Sequence, residues 1–446
     1  MKEHYDVIIV GTGAAGLYCA LNLPEKMKIL LITKQEADQS DSFLAQGGIC
    51  MLRGEDDYEN YFEDTMRAGH YENNKRAVDL MIRSSNDIIR DLLRYHVDFA
   101  RDGLGNLAFT REGAHSQPRI LFHEDITGKE ITQTLLTAAK IKENIEICEY
   151  MTMVDLISKD NTVCGIIAMD RNDQAFPVYS QYVVLACGGI GGLFKNSTNF
   201  SHIAGDGVGI AMKHHVEMEN LDYIQIHPTT LYSKKPGRRF LVSESVRGEG
   251  ALLYDKNGQR FTNELQPRDL LSQKIFAQME KDGTEFVWED MRPLGEKTIL
   301  EHFPHIYEQC VEEGFDPRKE PIPVVPAQHY FMGGVKVDYH SRSSMENLYV
   351  VGEAACNGVH GKNRLASNSL LESLVFARRA ARDMAEHDLK NASHQNVSEI
   401  ADYLASHVDF NPYQDIQALA ETYHHLATQA ITLGQNPEGR KEFLYV

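Results

Sequence analysis

The sequence predicts an α/β fold whose centre is a parallel sheet, and three stretches of the chain support this prediction. The first is a strand, a glycine turn, a helix and a second strand, over residues 5–10, 11–16, 17–23 and 28–33. The other two are short apolar runs that end in glycine, over 183–189 and 347–352. Such runs are typical of strands that are buried on both faces of a parallel sheet. Together they indicate a Rossmann-like, nucleotide-binding domain.

The glycine pattern Gly11-Thr-Gly-Ala-Ala-Gly16 has the spacing and the place of a pyrophosphate-binding turn, because it follows a strand and opens a helix. In this motif the first glycine forms the tight turn, the second lets the backbone approach the pyrophosphate, and the third lets the helix approach the strand. The helix N-terminus adds partial positive charge. The acidic residue that usually holds the ribose is missing, because Lys34 follows the second strand. Either the ribose is held differently or the cofactor is not NAD.

Length, composition and charge limit the classes of function. A chain of 446 residues suits two or three domains, and its 42% of apolar residues is ordinary for a globular protein. The net charge of −19 excludes an overall basic surface for nucleic acid or acidic lipid. The seven cysteines show no zinc spacing, no apolar run approaches the roughly 20 residues of a membrane span, and the first residues do not resemble a signal peptide. We therefore expect a cytoplasmic protein with reduced thiols and no bound metal.

The texture of the chain changes between residues 222 and 330, where prolines, short strands and the hairpin turn Asp255-Lys-Asn-Gly258 predict a separate α+β domain. Helical patterns over 59–68 and 76–94 precede it and are expected to cover the sheet. The nucleotide-binding domain is therefore split by an insertion. We expect the first part of this domain over 1–221, the inserted domain over 222–330 and the second part over 331–386. A short, polar, helical C-terminal region without a strong core pattern is expected over 387–446.

Two polar residues at predicted helix starts leave alternatives open. Asp206 precedes an apolar helix over 208–213, and it is either a plain N-cap or a carboxylate that accepts a ligand hydroxyl. Ser369-Leu-Leu-Glu372 has the capping-box pattern, so a helix is expected to start at Ser369. That helix N-terminus either stabilises negative charge on a bound cofactor or is only a well-capped helix end.

Four cationic or titratable residues lie in stretches punctuated by glycine or proline and not on predicted helix faces. They are His227, which follows a strand-like run over 223–226, and Arg268, His329 and Arg364. Cations in rigid loops at domain junctions suit the binding of a small dianion, because bidentate arginine matches carboxylate geometry. Each residue taken alone is also compatible with a surface ion pair or a structural histidine. The sequence shows no Ser–His–Asp order, no P-loop and no cluster of metal ligands.

Several longer motifs, in one order between about residues 4 and 385, resemble the succinate dehydrogenase/fumarate reductase flavoprotein superfamily, and within it the members that oxidise L-aspartate. The motifs lie at residues 11–16, 41–48, 110–116, 123–128, 227–229, 243–250, 267–269, 328–330 and 363–372. The resemblance implies a Rossmann-like FAD-binding domain with an inserted α+β capping domain. It also implies oxidation of L-aspartate to iminoaspartate with O₂ or fumarate as electron acceptor, which is the first step of NAD biosynthesis through quinolinate. Docking to quinolinate synthase stays open.

The resemblance also assigns residues. Those that match the family's FAD contacts are Gly11, Thr12, Gly13, Ala14, Ala15, Gly16, Lys34, Ser42, Phe43, Leu44, Ala45, Gln46, Gly47, Gly48, Asp206, Glu353, Ser369 and Leu370. Those that match the substrate site are Glu112, His227, Ser243, Glu244, Arg268, His329 and Arg364. Lys34 matches the members that oxidise aspartate, which removes the difficulty with the ribose.

The substrate residues divide between the two ends of a dicarboxylate. Arg364 and His329 are expected to bind one carboxylate, whereas His227, with Ser243 and Glu244, is expected at the other end. Glu112 is expected to bind the ammonium group, and its alternative role is an ion pair with Arg111.

Arg268 resembles the residue that moves a proton in this superfamily. Because free arginine has a pKa above about 12, a proton donor to fumarate and a local positive charge are favoured over a base.

Two departures from the family pattern have consequences. Asp41 occupies the place of the histidine that holds FAD covalently in succinate dehydrogenases, so the cofactor is expected to be noncovalent. Only about 60 residues follow residue 386, whereas the family commonly ends in a larger helical domain. The alternative functions are a soluble fumarate reductase or succinate-type dehydrogenase, against which Glu112 and Asp41 argue, and a flavin-binding redox sensor without turnover.

Overall fold

The computed structural model describes residues 4–235, 237–390 and 416–434. The strands of its main sheet are β1 His4–Val10, β2 Ile29–Thr33, β5 Ile145–Glu149, β6 Thr152–Lys159, β7 Thr162–Met169, β8 Ala175–Leu185 and β15 Leu348–Val350. Their order is β5-β2-β1-β8-β7-β6, and β15 also pairs with β8. Strands β5, β2, β1, β8 and β15 pair in parallel, and β8, β7 and β6 pair antiparallel. The predicted α/β fold with a Rossmann-like parallel core is confirmed.

The parallel strands are apolar along their whole length because both faces of the sheet are covered. Every residue of β2 is buried, and so are Val7–Val10 of β1, which pair in register with Ile29–Ile32. Helix α1, Ala14–Asn22, lies on one face with α10, Asn368–Lys390, and the side chains between them are fully buried. The chain therefore returns to the first βαβ unit more than 300 residues after leaving it.

The longest of the remaining helices have 20, 19, 15 and 14 residues, and the others have 11 or fewer. Their bounds are α2 Tyr58–Ala68, α3 Lys75–Arg94, α4 Thr127–Lys140, α5 Asp206–Lys213, α6 Glu244–Gly248, α7 Arg268–Asp282, α8 Glu296–His302, α9 Pro304–Glu312 and α11 Ile416–Gly434. The predicted helices over 59–68 and 76–94 correspond to α2 and α3. Among the described residues, no helix combines the length and the apolar character that crossing a membrane requires.

A second, antiparallel sheet lies between residues 224 and 331. Its strands are β10 Ile224–Leu231, β11 Leu252–Tyr254, β12 Val287–Asp290 and β13 Ile322–Phe331, in the order β10-β13-β12-β11. Helix α7 covers it, and it has its own apolar core. Two small sheets complete the fold, from β3 Ile49–Cys50 and β4 Ile120–Leu121, and from β9 Met218–Glu219, β14 Gly334–Lys336 and β16 Ala355–Cys356.

Three local predictions were wrong. Strand β10 does not end at Ile226 but continues through His227, where its register shifts against β13. Helix α10 begins at Asn368, so Ser369 is its second residue and not the N-cap, and its Oγ accepts a hydrogen bond from Arg364 Nη1 at 2.9 Å. The C-terminal helix α11 has an apolar stripe, since Tyr423, Ala427 and Ile431 are buried at intervals of four residues.

The bounds proposed for the four parts of the chain stay a prediction. Residues 391–415 and 435–446, which belong to the predicted C-terminal region, lie outside the described residues.

We predict that Leu374→Ala lowers the melting temperature of the protein clearly. Leu374 is fully buried in the core that α1 and α10 share, and truncation of a buried leucine costs about 2–5 kcal/mol of unfolding free energy. The exposed Arg382 of the same helix provides the control, since surface substitutions change stability by only about 0.5 kcal/mol. Equal melting curves for Leu374→Ala and Arg382→Ala would show that this face of α10 does not hold the domain together.

Candidate functional site

A cleft of about 1670 Å³ lies where the carboxyl ends of the parallel strands meet the inserted domain. Part of this volume is open to solvent. All seven predicted substrate residues line the cleft. The predicted FAD contacts that line it are Gly11, Thr12, Gly13, Ala15, Lys34, Ser42, Leu44, Ala45, Gln46, Gly47, Gly48, Asp206, Glu353, Ser369 and Leu370. Ala14, Gly16 and Phe43 are not part of the lining.

The glycine turn between β1 and α1 is shaped by close backbone approaches. Gly11 has a φ of +114°, and a Cβ there would lie 2.2 Å from the carbonyl oxygen of Ala186. Gly16 packs inside the turn, where a Cβ would lie 2.1 Å from the carbonyl oxygen of Gly11, so only glycine fits there. The backbone N–H of Ala14 donates to Ser42 Oγ at 3.2 Å. Thr12, Gly13 and Ala15 line the cleft, so the N-terminus of α1 opens on it.

Asp206 is not an N-cap. It is the first residue of α5, whose N-cap is Gly205. Its carboxylate contacts Lys34 Nζ and lies 3.3 Å from His424 Nε2 of α11. Lys34 Nζ also donates to the carbonyl oxygen of His202 at 2.9 Å. The lysine that replaces the usual ribose-binding acid therefore holds an acid from another element at the wall of the cleft.

Asp41 is held by its own contacts in the wall of the cleft. Its carboxylate accepts hydrogen bonds from Asn199 Nδ2 at 2.6 Å and from the backbone N–H of Phe200 at 2.9 Å. Burial raises the pKa of Asp41 to about 6. Because Asp41 is a carboxylate held by these partners, it has no imidazole nitrogen to which a flavin could be attached. Phe43 points away from the cleft, toward Lys129 of α4, 5.9 Å from its Nζ.

Glu353 also lines the cleft, in the turn after β15. Its Oε1 accepts a hydrogen bond from the backbone N–H of Phe331 at 2.9 Å, and burial, with the charge of Asp41, raises the pKa of Glu353 to about 8. A Cβ on Gly189 would lie 2.4 Å from Glu353 Oε1, so a glycine is needed beside it. A protonated carboxyl group at this place can donate a hydrogen bond to a sugar or ring oxygen.

The cleft fits FAD by the chemistry of its lining. Two buried polar atoms that face it, Ser40 Oγ and Gln46 Oε1, have no hydrogen-bond partner among the described residues. Buried polar groups are rarely left unpaired, so such atoms indicate a ligand with donors and acceptors. The open N-terminus of α1 suits a pyrophosphate. The residues that would hold the group are therefore those of the glycine turn, the 41–48 segment, Asp206 and Glu353.

Arg364 is a buried cation without a carboxylate partner. Its side chain is 5% exposed, Nη1 donates to Ser369 Oγ, and its guanidinium lies 4.4 Å from the ring centre of Tyr330. Nε has no hydrogen-bond partner in the part of the chain that the structure describes, and no ion pair there includes Arg364. Burial lowers the pKa of Arg364 to about 10, so it remains charged at neutral pH. A buried guanidinium in this state requires an anion.

Two neutral histidines face the same space. The rings of His227 and His329 meet edge to face with centres 5.1 Å apart. His227 Nδ1 lies 2.9 Å from the carbonyl oxygen of Thr229 and 3.2 Å from its N–H, and Nε2 has no partner among the described residues. His329 Nδ1 lies 2.8 Å from Thr198 Oγ1. Burial, with the charge of Arg268, holds the pKa of both imidazoles well below its usual value, so neither is protonated near neutral pH.

Arg268, the first residue of α7, is fixed by two neighbours. Its Nε donates to Glu244 Oε2 at 2.5 Å and its Nη1 donates to Gln225 Oε1 at 2.9 Å. Burial alone would raise the pKa of Glu244, but the charges of Arg268 and Arg247 together hold it below its usual value. Ser243 is the N-cap of α6 and accepts a hydrogen bond from the N–H of Ser245. The Glu244 carboxylate is therefore ionised and orients the guanidinium.

Gln225 was missed by the analysis of the sequence. It is buried in β10, and its Nε2 donates to the carbonyl oxygen of Arg364 at 2.8 Å while its Oε1 accepts from Arg268. One amide thus links the two arginines of the site. One sequence signal could have identified it. Gln225 lies two residues before His227 in a strand, and residues two apart in a strand have their side chains on the same face.

Glu112 is buried and bonded to two serines. Its Oε1 accepts a hydrogen bond from Ser245 Oγ at 2.7 Å and its Oε2 accepts one from Ser367 Oγ at 2.6 Å. The alternative ion pair with Arg111 is not among the salt bridges of the described residues. Burial, with the charge of Glu244, raises the pKa of Glu112. The carboxylate is therefore held on the wall of the cleft by neutral donors, and none of the described cations is bonded to it.

Comparison with known proteins agrees with this geometry. Residues 6–370 match the model of the FAD binding domain family. The chain is 50% identical over 382 residues to the L-aspartate oxidase of Clostridium perfringens, and the aligned residues make up 85% of this chain and 87% of that protein. It is 44% identical over 403 residues to the L-aspartate oxidase of Clostridium acetobutylicum, covering 89% and 92%.

Solved structures show the same fold. A mutant form of the E. coli quinol fumarate reductase FrdA has a TM-score of 0.84 and 31% identity, covering 90% of this chain and 73% of that one. A flavocytochrome c3 fumarate reductase in an open conformation has a TM-score of 0.69 and 25% identity, covering 87% and 79%. The cleft has a glycine turn suited to a nucleotide, the family model matches most of the chain, and the relatives are similar over most of their length. The chain therefore belongs to the L-aspartate oxidase family of flavoproteins with an FAD binding domain.

Proposed function

We propose that this chain binds FAD without a covalent link and oxidises L-aspartate to iminoaspartate. The observation on which this rests most is the buried guanidinium of Arg364, which has no carboxylate partner among the described residues and faces the cleft. A substrate carboxylate would supply the anion that this cation lacks. Bound FAD supplies a two-electron acceptor for the hydrogen that leaves the substrate carbon with its electron pair.

The two ends of the dicarboxylate bind different donors. Arg364 binds one carboxylate, with the neutral imidazole of His329 beside it. At the other end lies His227, with Ser243 and Glu244. Its Nδ1 is within hydrogen-bonding distance of both the carbonyl oxygen and the N–H of Thr229, so Nε2, which has no partner among the described residues, is the ring atom left for the second carboxylate. Fixing both ends in this way restricts rotation of the substrate, and such positioning contributes about 7–11 kcal/mol to barrier reduction in favourable cases.

Glu112 binds the ammonium group, the one feature that distinguishes aspartate from succinate. Ser245 and Ser367 hold its two oxygens in place without neutralising its charge. Binding of an ammonium cation favours the ionised carboxylate and opposes the effect of burial on its pKa.

Arg268 holds a proton at its guanidinium close to the reacting carbon. Glu244 accepts from its Nε and Gln225 accepts from its Nη1, so Nη2 is free of both contacts and is the donor we assign to the substrate. In fumarate reduction Nη2–H donates a proton to the substrate carbon. In aspartate oxidation the guanidinium stabilises the negative charge of the bound dicarboxylate, and the proton that the ammonium group loses as the C=N bond forms passes to solvent.

Fumarate and O₂ are the electron acceptors that we propose. Docking to quinolinate synthase and a place in the cytoplasm belong to the same proposal.

The second candidate is a soluble fumarate reductase or succinate dehydrogenase, which the likeness to fumarate reductase structures favours. Anaerobic addition of L-aspartate or succinate to the yellow protein separates the two. Bleaching of the flavin by aspartate alone supports the first, and bleaching by succinate alone supports the second. A flavin that neither substrate bleaches would indicate a binding module without turnover.

We predict that FAD is released when the protein is precipitated with acid. Asp41 stands where the attaching histidine of succinate dehydrogenases would lie, and its oxygens are bonded to Asn199 and Phe200. The flavin absorbance should appear in the supernatant. A pellet that stays yellow after washing would contradict the noncovalent assignment.

We predict that Arg364→Leu and Arg268→Leu each nearly abolish turnover of aspartate while FAD stays bound. Removing one partner of a buried charge pair costs about 2–5 kcal/mol, because the other charge is left unpaired. Steady-state kcat/KM and the flavin content of each purified variant measure the two effects. If either variant kept a near-normal kcat/KM, the role assigned to that arginine would be wrong.

We predict that Glu112→Gln lowers the kcat/KM for aspartate about tenfold or more, because a hydrogen bond to a charged group contributes about 1.5–3 kcal/mol. Gln keeps the size of the side chain and an oxygen for one of the two serines. Reduction of fumarate by pre-reduced enzyme involves no ammonium group and should be largely retained. Equal loss of both activities would mean that Glu112 supports its loop and does not bind the substrate.

A further inference from the structure

The loop of Glu112 and the segment of Arg364 are joined by a histidine that the chemistry above does not use. His115 is 6% exposed, its Nε2 lies 3.0 Å from the carbonyl oxygen of Ala366, and its Nδ1 lies 3.0 Å from Arg119 Nη1. Arginine can only donate, so Nδ1 accepts. The ring proton is therefore on Nε2, which donates to Ala366.

Arg119 is fully buried and holds His115 in this state. Its Nε and Nη2 donate to the two oxygens of Asp57 at 3.1 and 2.7 Å, and its Nη1 donates to Asp64 Oδ2 at 2.7 Å. The two carboxylates balance the charge, and the fork fixes the plane of the guanidinium. Burial, with the charge of Arg119, lowers the pKa of His115 to about 4, so the imidazole is neutral.

The carbonyl that His115 binds precedes a strained residue. Ser367 has a φ of +61°, a conformation that costs free energy for residues other than glycine. Its Oγ donates to Glu112 Oε2 at 2.6 Å and accepts from the N–H of Gly48 at 3.0 Å. The N–H of His115 in turn donates to the carbonyl oxygen of Glu112 at 3.3 Å. The two segments thus form one block, closed by hydrogen bonds at both the backbone and the side chains.

We propose that His115, held by Arg119, is a positioning residue that sets the distance between the Glu112 carboxylate and the Arg364 guanidinium. The span between these two groups must match the distance from the ammonium group to a carboxylate of the substrate. His115 thereby selects aspartate over dicarboxylates without an ammonium group. This inference rests on the proposed function, because it takes Glu112 as the site of the ammonium group.

The test removes the donor of His115 and then restores it. His115→Leu keeps the bulk but not the hydrogen bond to Ala366. Its kcat/KM for aspartate should fall about fivefold or more, as expected for the loss of one neutral hydrogen bond, while reduction of fumarate by pre-reduced enzyme changes less than about twofold. His115→Gln places an amide N–H near the position of Nε2 and should restore most of the loss. His214→Leu, which removes an imidazole bonded to Asp155 away from the cleft, controls for a general loss of stability and should leave the ratio of the two activities unchanged.

A double-mutant cycle gives the decisive readout. In the Glu112→Gln background, His115→Leu should lose most of its effect on aspartate, because the group that it positions is already absent. A full fivefold effect in that background, or equal loss of both activities in His115→Leu with a lowered melting temperature, would overturn the inference. If the wild-type protein does not oxidise aspartate, the proposed function fails instead. The ratio of dissociation constants of aspartate and succinate, measured from the flavin absorbance of wild type and His115→Leu, then tests the positioning role on its own, and a ratio that His115→Leu leaves unchanged would overturn the inference.

Discussion

The buried guanidinium of Arg364 is the constraint on which the rest of the site depends. A cation in a low-dielectric interior is costly unless an anion and hydrogen-bond acceptors surround it. The protein supplies an aromatic face from Tyr330 and one hydroxyl from Ser369, but no carboxylate in an ion pair among the described residues. The favourable partner is thus left to a ligand, and the arginine is ready to bind an anion before any arrives.

The same segment is fixed from three directions. Gln225 of the inserted sheet holds the carbonyl oxygen of Arg364, His115 holds that of Ala366, and Ser367 connects to Glu112. A residue of the inserted sheet and two residues of the loop before β4 therefore converge on one short stretch before α10. Because the inserted sheet contributes Gln225 and His227, while the parallel sheet provides the cofactor side, the cleft exists only where the two parts of the chain meet.

The charges of the site are separated by environment. Burial, together with the charge of Arg268, lowers the pKa of His227 and His329, so these imidazoles are neutral hydrogen-bonding groups at neutral pH. Of the buried carboxyl groups, Glu244 is kept ionised by arginines, whereas burial raises the pKa of Glu353 to about 8. Residues of one chemical type thus serve different purposes, and only their neighbours distinguish them.

The sequence by itself determined the features that depend on local order. The glycine turn, the buried strands and the changed texture between 222 and 330 follow from short-range patterns, and the spaced motifs of the family indicated the substrate residues. Sequence patterns did not reveal the partners of those residues. Glu112 meets Ser245 and Ser367 across 133 and 255 positions of the chain, and Gln225 joins arginines that no periodicity connects. The start of α10, the buried stripe of α11 and the proton on Nε2 of His115 were likewise decided by tertiary contacts. The physical reason is that hydrogen bonds and burial act between groups that are close in space, and closeness over such separations exists only once the sheets have assembled.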